Sequence, residues 1–179
     1  MASPAPLPMD PIAEAKRQWI AHGWADAADA MAAYSSVMRT HQLMYSRVDA
    51  VLKPLGLSYA RLELLRLLSF TRDGALPMAS ASARLQVHPT SVTSVVDRLE
   101  KDGMVRREAH PTDGRATLVV LTGAGRELVE EATTVLNTDV FASPGIPAED
   151  LRTMTAILAR FRRACGDFSD PVEPPDPLL

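Results

Sequence analysis

The densest run of side chains able to make directional polar contacts lies between Pro89 and Lys101: Thr90, Ser91, Thr93, Ser94, Asp97, Arg98 and Lys101. Between them Val92, Val95, Val96 and Leu99 stand at i, i+3, i+4 and i+7, the spacing of one helical face. Folded as a helix, the segment buries the valines and leucine and turns the polar set outward, with Pro89 at the first position. Such a helix fits the major groove of DNA, where hydroxyls near its N-terminus donate to or accept from base edges. The free backbone N–H groups at that end favour phosphate. A plain solvated face rich in Ser and Thr reads the same way, so this segment alone leaves both readings open.

A second cluster tips the balance. Asp113 and Arg115 sit in the turn-rich stretch His110-Pro111-Thr112-Asp113-Gly114-Arg115, with Arg106 and Arg107 just before it. Two short strands, expected at Val105–Ala109 and Ala116–Leu121, make this stretch the tip of a hairpin. A rigid two-stranded projection can place one guanidinium, that of Arg115, in a minor groove, where narrow A·T-rich steps deepen the negative potential. Asp113 is placed to orient Arg115 through a charge-assisted hydrogen bond.

Other chemistry is poorly represented. Cys165 is the one cysteine, so no internal disulfide forms, and His22, His41, His88 and His110 lack metal-ligand spacing. Gly123-x-Gly125 is too short for a phosphate loop and reads as a flexible helix start. No Ser/His/Asp or Cys/His arrangement stands out. The expectation is a protein that is no enzyme and needs no metal or cofactor. The apolar pattern around Cys165 predicts a small buried residue rather than a redox sensor, with only Arg162 and Arg163 nearby to lower its pKa.

The net charge of −3 hides an uneven distribution. From Arg84 to Arg126 seven basic residues face five acidic ones, whereas Cys165 to Leu179 carries four acidic residues and no basic one. Local field matters more to a polyanionic partner than the total does. A non-specific architectural DNA-binding protein is the alternative reading, but such proteins are usually strongly basic. No apolar run reaches the roughly 20 residues of a membrane span, and the proline-rich start lacks the basic region of a signal peptide. A cytoplasmic protein is expected.

The elements that must position these clusters are mainly helical. A short helix is predicted at about Pro11–Gly23 and a long one at about Asp26–Lys53, ended by Pro54 and Gly56. The long helix carries the stripe Ala30, Tyr34, Val37, His41, Met44, Val48, Val51 and the row Met31, Met38, Tyr45, Leu52, too wide a face for one neighbour. Ser58 caps a leucine-rich, buried helix at about Tyr59–Thr71, and a short helix at Met78–Leu85 precedes the one at Pro89–Asp102. Past the hairpin, Thr122 caps a helix to about Phe141, and a final helix spans about Pro147–Cys165. The fold class is mainly α with a small β-hairpin.

The run Val87-His88-Pro89-Thr90-Ser91-Val92-Thr93-Ser94-Val95-Val96-Asp97-Arg98-Leu99-Glu100-Lys101-Asp102-Gly103-Met104-Val105-Arg106-Arg107 resembles the recognition helix and first wing strand of MarR regulators. His110 to Ala116 and Leu121-Thr122-Gly123-Ala124-Gly125-Arg126 are similar to that family's wing and following helix. The likeness covers roughly Ala27 to Phe168. It implies a winged helix-turn-helix domain plus a helical dimerisation domain, in a triangular homodimer whose terminal helices interleave. It further implies double-stranded DNA as partner, read by Pro89, Thr90, Ser91, Thr93, Ser94 and Arg98 in the major groove, with Arg106, Asp113 and Arg115 at the wing. The extra N-terminal helix, the proline-rich arms and the small, polar Met78–Ala83 segment depart from the family pattern.

Residues 1–10 and 169–179 are expected as disordered proline-rich arms, 11–57 and 122–168 as dimerisation helices, and 58–121 as the DNA-binding domain. Apolar stripes on the last two helices, Leu128, Val135, Leu136, Val140 and then Leu151, Met154, Ile157, Leu158, Phe161, Cys165, independently support a second copy, the alternative being one unusually elongated bundle. The resemblance also implies a small aromatic or anionic effector. Candidate contacts are Met38, Arg39, Gln42 and Tyr45 on the long helix and Tyr59, Leu62 and Phe70 on the next, with Trp19, His22 and Trp24 closing the site. Each of these residues also reads as ordinary core or interface.

Overall fold

The computed structural model describes residues 6–113 and 116–169. Most of both expected terminal arms, and Gly114 and Arg115 at the hairpin tip, lie outside that range. Of the described residues 68% are helical, with one small antiparallel sheet, and the chain divides between Val48 and Asp49 into two compact units.

The first unit holds α1 (Pro11–Ala21) and most of α2 (Ala25–Leu52). Asp10 caps α1 by accepting from the Ile12 N–H at 2.9 Å, and Pro11 occupies the first turn, where its missing N–H costs nothing. Lys16 pairs with Asp29 of α2. The Trp19 and Trp24 rings meet edge to face at 5.2 Å, and His22 stacks on Trp24 at 5.7 Å. The wide apolar face of α2 is open in the single chain, with Tyr34, Val37, Met38 and Tyr45 all exposed.

The second unit is built on α3 (Tyr59–Ser69), capped by Ser58. Leu64, Leu65 and Leu68 are fully buried, each contributing about 1.5–3 kcal/mol, which makes α3 the anchor of this lobe. Against it pack α4 (Met78–Leu85), α5 (Pro89–Lys101) and α6 (Gly123–Leu136). The sheet has three strands, β1 (Ala75–Pro77), β2 (Val105–Ala109) and β3 (Thr117–Leu121), in the order β1-β3-β2. Val105 pairs with Leu121 and Ala109 with Thr117, giving the expected hairpin, and Ala75 pairs with Val120 on the other edge.

Four expectations need correction. The hairpin gains β1 as a third strand, and Ala116 falls outside β3. The helix expected to reach Phe141 ends as α-helix at Leu136 and continues as a π turn over Asn137–Phe141, which buries Val140 while leaving Phe141 exposed. The last helix, α7 (Ala148–Ala164), has no buried residue, so Cys165 at its C-cap is exposed rather than buried. The stripe predicted to cover Cys165 stays open to solvent in the single chain, with Ile157 and Phe161 about half exposed.

Gly125, read from sequence as part of a flexible helix start, is instead a point of close approach. A Cβ there would stand 2.1 Å from the Met104 carbonyl oxygen and 2.9 Å from Leu121 Cδ1. Thr122 fixes the junction: its hydroxyl accepts from the Gly125 N–H at 3.0 Å and contacts the Gly103 carbonyl at 2.8 Å. The start of α6 is thereby clamped to the start of β2.

Candidate nucleic-acid interface

Two helices and a sheet corner set the geometry of the exposed polar helix. The turn between α4 and α5 passes through Gln86 in the left-handed region, φ 53°. Buried Ser82 donates to the Val87 carbonyl at 2.8 Å and holds this turn closed. His88 then caps α5 through Nδ1, which accepts from the Thr90 N–H at 3.3 Å, and Pro89 starts the helix. Val92, Val96 and Leu99 are buried, as the spacing predicts, while Val95, expected with them, is only half-buried. Pro89, Thr90, Ser91, Thr93, Ser94 and Arg98 are all exposed.

The hydroxyls on this face have defined polarity. Thr93 donates to the Pro89 carbonyl and Ser94 to the Thr90 carbonyl, both at 3.1 Å. With their protons turned back to the helix, these oxygens present acceptor lone pairs outward. They suit the exocyclic amino groups of adenine or cytosine in a major groove. Arg98 reaches Asp102 at 3.6 Å, and Asp102 also takes Arg61 at 3.3 Å, so its carboxylate is shared between α3 and α5.

The wing is fastened to α5 by one side chain. The Arg107 guanidinium on β2 pairs with both Asp97 and Glu100 of α5, and the Arg107 N–H donates to Glu100 Oε1 at 2.9 Å. Although partial burial opposes its charge, the hydrogen bonds to Asp97 and Glu100 hold the Arg107 pKa above its ordinary value. Arg106, one residue earlier, is exposed and pairs with Glu108 on its own strand. At the tip the His110 N–H donates to the Ala116 carbonyl at 3.1 Å, and the Asp113 N–H donates to His110 Nδ1 at 3.2 Å. Asp113 is exposed; Arg115, which it is expected to orient, lies outside the described residues.

The MarR family profile matches residues 57–117, the stretch from the entry to α3 through the wing. Sco5413, a MarR family transcriptional regulator from Streptomyces coelicolor, has 45% sequence identity and a TM-score of 0.72, covering 79% of this chain and 99% of that one. The HTH-type transcriptional repressor Rv2887 of Mycobacterium tuberculosis is 33% identical over 98 residues, 55% of this chain and 69% of that protein. The HTH-type transcriptional regulator YdgJ of Bacillus subtilis is 34% identical over 110 residues, 60% of this chain and 65% of its own length. The chain belongs to the MarR family of transcriptional regulators.

In this MarR-family protein the expected effector residues fall into two groups. Tyr59, Leu62 and Phe70 come together on one wall of a cleft of about 440 Å³. Met38, Arg39, Gln42 and Tyr45 are exposed on α2, in the first unit, where Arg39 donates to Gln42 at 3.2 Å. Trp19, His22 and Trp24 pack on one another in that same unit. Sequence reasoning missed the cleft's other wall, Thr133, Leu136 and Phe141, and the polar residues Glu63 and Arg66. Glu63 and Arg66 are the polar residues of an otherwise leucine-rich stretch, but nothing in the helical spacing says that α6 opposes them. Among the described residues no three His, Cys, Asp or Glu side chains gather as metal ligands, and no helix is long and apolar enough to cross a membrane.

Arg107 is a positioning residue that a motif search overlooks, because its two partners lie on a different element. Arg107→Ala is expected to cost little stability, since the pairs are partly exposed, at about 1 kcal/mol. DNA affinity is expected to fall about tenfold through loss of the charge-assisted clamp that aims the wing. Hydrogen exchange of the β2–β3 amides beside a DNA titration checks this. Unchanged exchange and affinity would show that the clamp is decorative.

Proposed function

We propose that the protein acts in the cytoplasm as a homodimeric, effector-responsive repressor, reading a pseudo-palindromic operator and blocking transcription sterically. The observation that carries this reading is the pairing of two unlike exposed surfaces on one chain. One is the hydroxyl- and arginine-bearing face of α5; the other is the apolar face of α7, where Ile157 and Phe161 are about half exposed. Residues 58–121 serve as the DNA-binding domain, and the helices of 11–57 and 122–168 join the two copies. Two-fold symmetry then sets half-sites about one duplex turn apart, roughly 34–36 Å. The name of Rv2887 as a repressor supports the sign of regulation.

In this reading Pro89, Thr90, Ser91, Thr93, Ser94 and Arg98 face the major groove, and Arg106, Asp113 and Arg115 form the wing contact. Effector control is supported by a shared wall. Glu63 and Leu85 line both the 440 Å³ cleft and a smaller cavity of about 50 Å³ that is also lined by Ser91, Val92 and Val95 of α5. A molecule pressing on that wall therefore presses on the recognition helix.

Titration of the DNA upstream of the protein's own gene tests the reading. Arg115→Ala is expected to weaken binding by about 1–3 kcal/mol, chiefly at A·T-rich flanks, whereas Ser91→Ala or Ser94→Ala alters base preference. Equal affinity for the three variants and the parent would remove the assigned reading surface. Binding that random competitor DNA displaces as readily as the target would favour the non-specific architectural reading instead.

A further inference from the structure

The cleft between α3 and α6 carries charge information that the effector reading does not use. On α3 and its C-cap, Tyr59, Glu63, Arg66 and Phe70 follow one another at steps of three and four, so they share one face and line the same wall. The two ionisable groups of opposite sign on that wall are in different states. Arg66 is committed: its guanidinium donates to Glu130 at 3.0 Å, to the Val129 carbonyl at 2.8 Å and to Thr133, and lies 5.4 Å from the Phe70 ring centroid. Its Nε is buried without a partner among the described residues and is closed to the cleft. Arg66 therefore ties α3 to α6 and offers an incoming molecule little charge.

Among the described residues no cation is paired with Glu63. Its residue is open to solvent, yet the apolar surroundings desolvate the carboxyl and raise its pKa, against the lowering effect of the Tyr59 hydrogen bond. Because Glu130 already balances Arg66, the cleft wall is left, among the described residues, with a Glu63 carboxylate that no cation balances. Around it stand apolar side chains and two half-exposed rings, Phe70 at 49% and Phe141 at 57%. A carboxylate beside exposed aromatic faces is the arrangement that holds an organic cation, by a charge-assisted hydrogen bond and by cation–π attraction.

We infer that this cleft takes an aromatic cation, its ammonium or amidinium on the Glu63 carboxylate and its ring among Phe70, Leu136 and Phe141. The inference rests on the effector-responsive reading and narrows its ligand class, setting the aromatic alternative above the anionic one. A volume of about 440 Å³ accommodates a bicyclic body.

Three probes that share an indole ring and differ at one end test this on the full chain by calorimetric titration: tryptamine, tryptophol and indole-3-acetate. Tryptamine is expected to bind about tenfold or more tightly than indole-3-acetate, with tryptophol between, because a hydrogen bond to a charged group is worth about 1.5–3 kcal/mol. Glu63→Gln should bring the three probes to within about threefold of one another. Phe141→Ala, at an exposed position, should weaken all three alike. Indole-3-acetate binding as well as tryptamine, an order preserved in Glu63→Gln, no effect of Phe141→Ala, or binding by none of the probes would each overturn the inference. Operator titration of the ligand-free protein and of Glu63→Gln runs alongside. Retained DNA binding there separates a wrong ligand class from a wrong regulator reading.

Discussion

Gly125→Ala is expected to destabilise the protein by about 3 kcal/mol, the sum of overpacking and a damaged helix cap. The added methyl would meet the Met104 carbonyl oxygen at 2.1 Å and Leu121 Cδ1 at 2.9 Å. That oxygen cannot retreat freely. It accepts from the Thr122 N–H at 3.1 Å and from the Thr122 hydroxyl at 3.0 Å, so relief of the clash breaks the cap of α6 or the entry to β2. In thermal unfolding, 3 kcal/mol corresponds to a fall of roughly 6–12 °C for a chain of this size. Gly123→Ala is the matched control, since nothing lies within 4 Å of its added Cβ. Alanine there should be neutral or stabilising by up to about 1 kcal/mol. Equal midpoints for the two variants would show that the close approach relaxes without cost.

The second large effect concerns assembly. Ile157→Asp combined with Phe161→Asp should convert a dimer to a monomer and weaken operator binding about a hundredfold or more. The two side chains stand one turn apart on α7, 50% and 51% exposed in the single chain, and α7 contributes no buried residue at all. A second copy is the proposed cover for that face, and charges placed there would have to lose their water on association. Two half-sites engaged together gain about 10²–10⁴ in affinity over one, which the monomer forfeits. Sedimentation and DNA titration on the same sample read both quantities. A variant that keeps the parent's mass and affinity would rule out α7 as the joining surface.

What the sequence made legible follows the strength of its periodicities. The buried valines and leucine of α5 and the leucines of α3 repeat often enough to define a face, so both helices and their inward sides emerge correctly. Strand β1 does not, because Ala75–Pro77 is only three residues long and ends in a proline. Such a segment becomes a strand only when an edge like β3 is already there to receive it. The π turn at Asn137–Phe141 is silent for a related reason: one extra residue in a turn leaves the local composition helical. At the candidate interface, Arg107 and its two acidic partners were all visible in the sequence, but their meeting depends on how β2 runs beside α5. The cleft is the same case, since helical spacing gives a face and tertiary packing decides what opposes it. Cys165 misled because an apolar stripe predicts burial without naming the molecule that provides it.

The left-handed Gln86 has a mechanical consequence. Its Nε2 donates to the Asp167 carbonyl at 2.8 Å, and Arg162 in turn holds the Asp167 carboxylate. Glycine would adopt that backbone angle without strain but could not reach across. The turn between α4 and α5 is thus tied by an amide group to the segment just past α7. The bond is exposed and worth about 1 kcal/mol, so the coupling it gives between the α4–α5 turn and the end of α7 is one that thermal motion can break and remake.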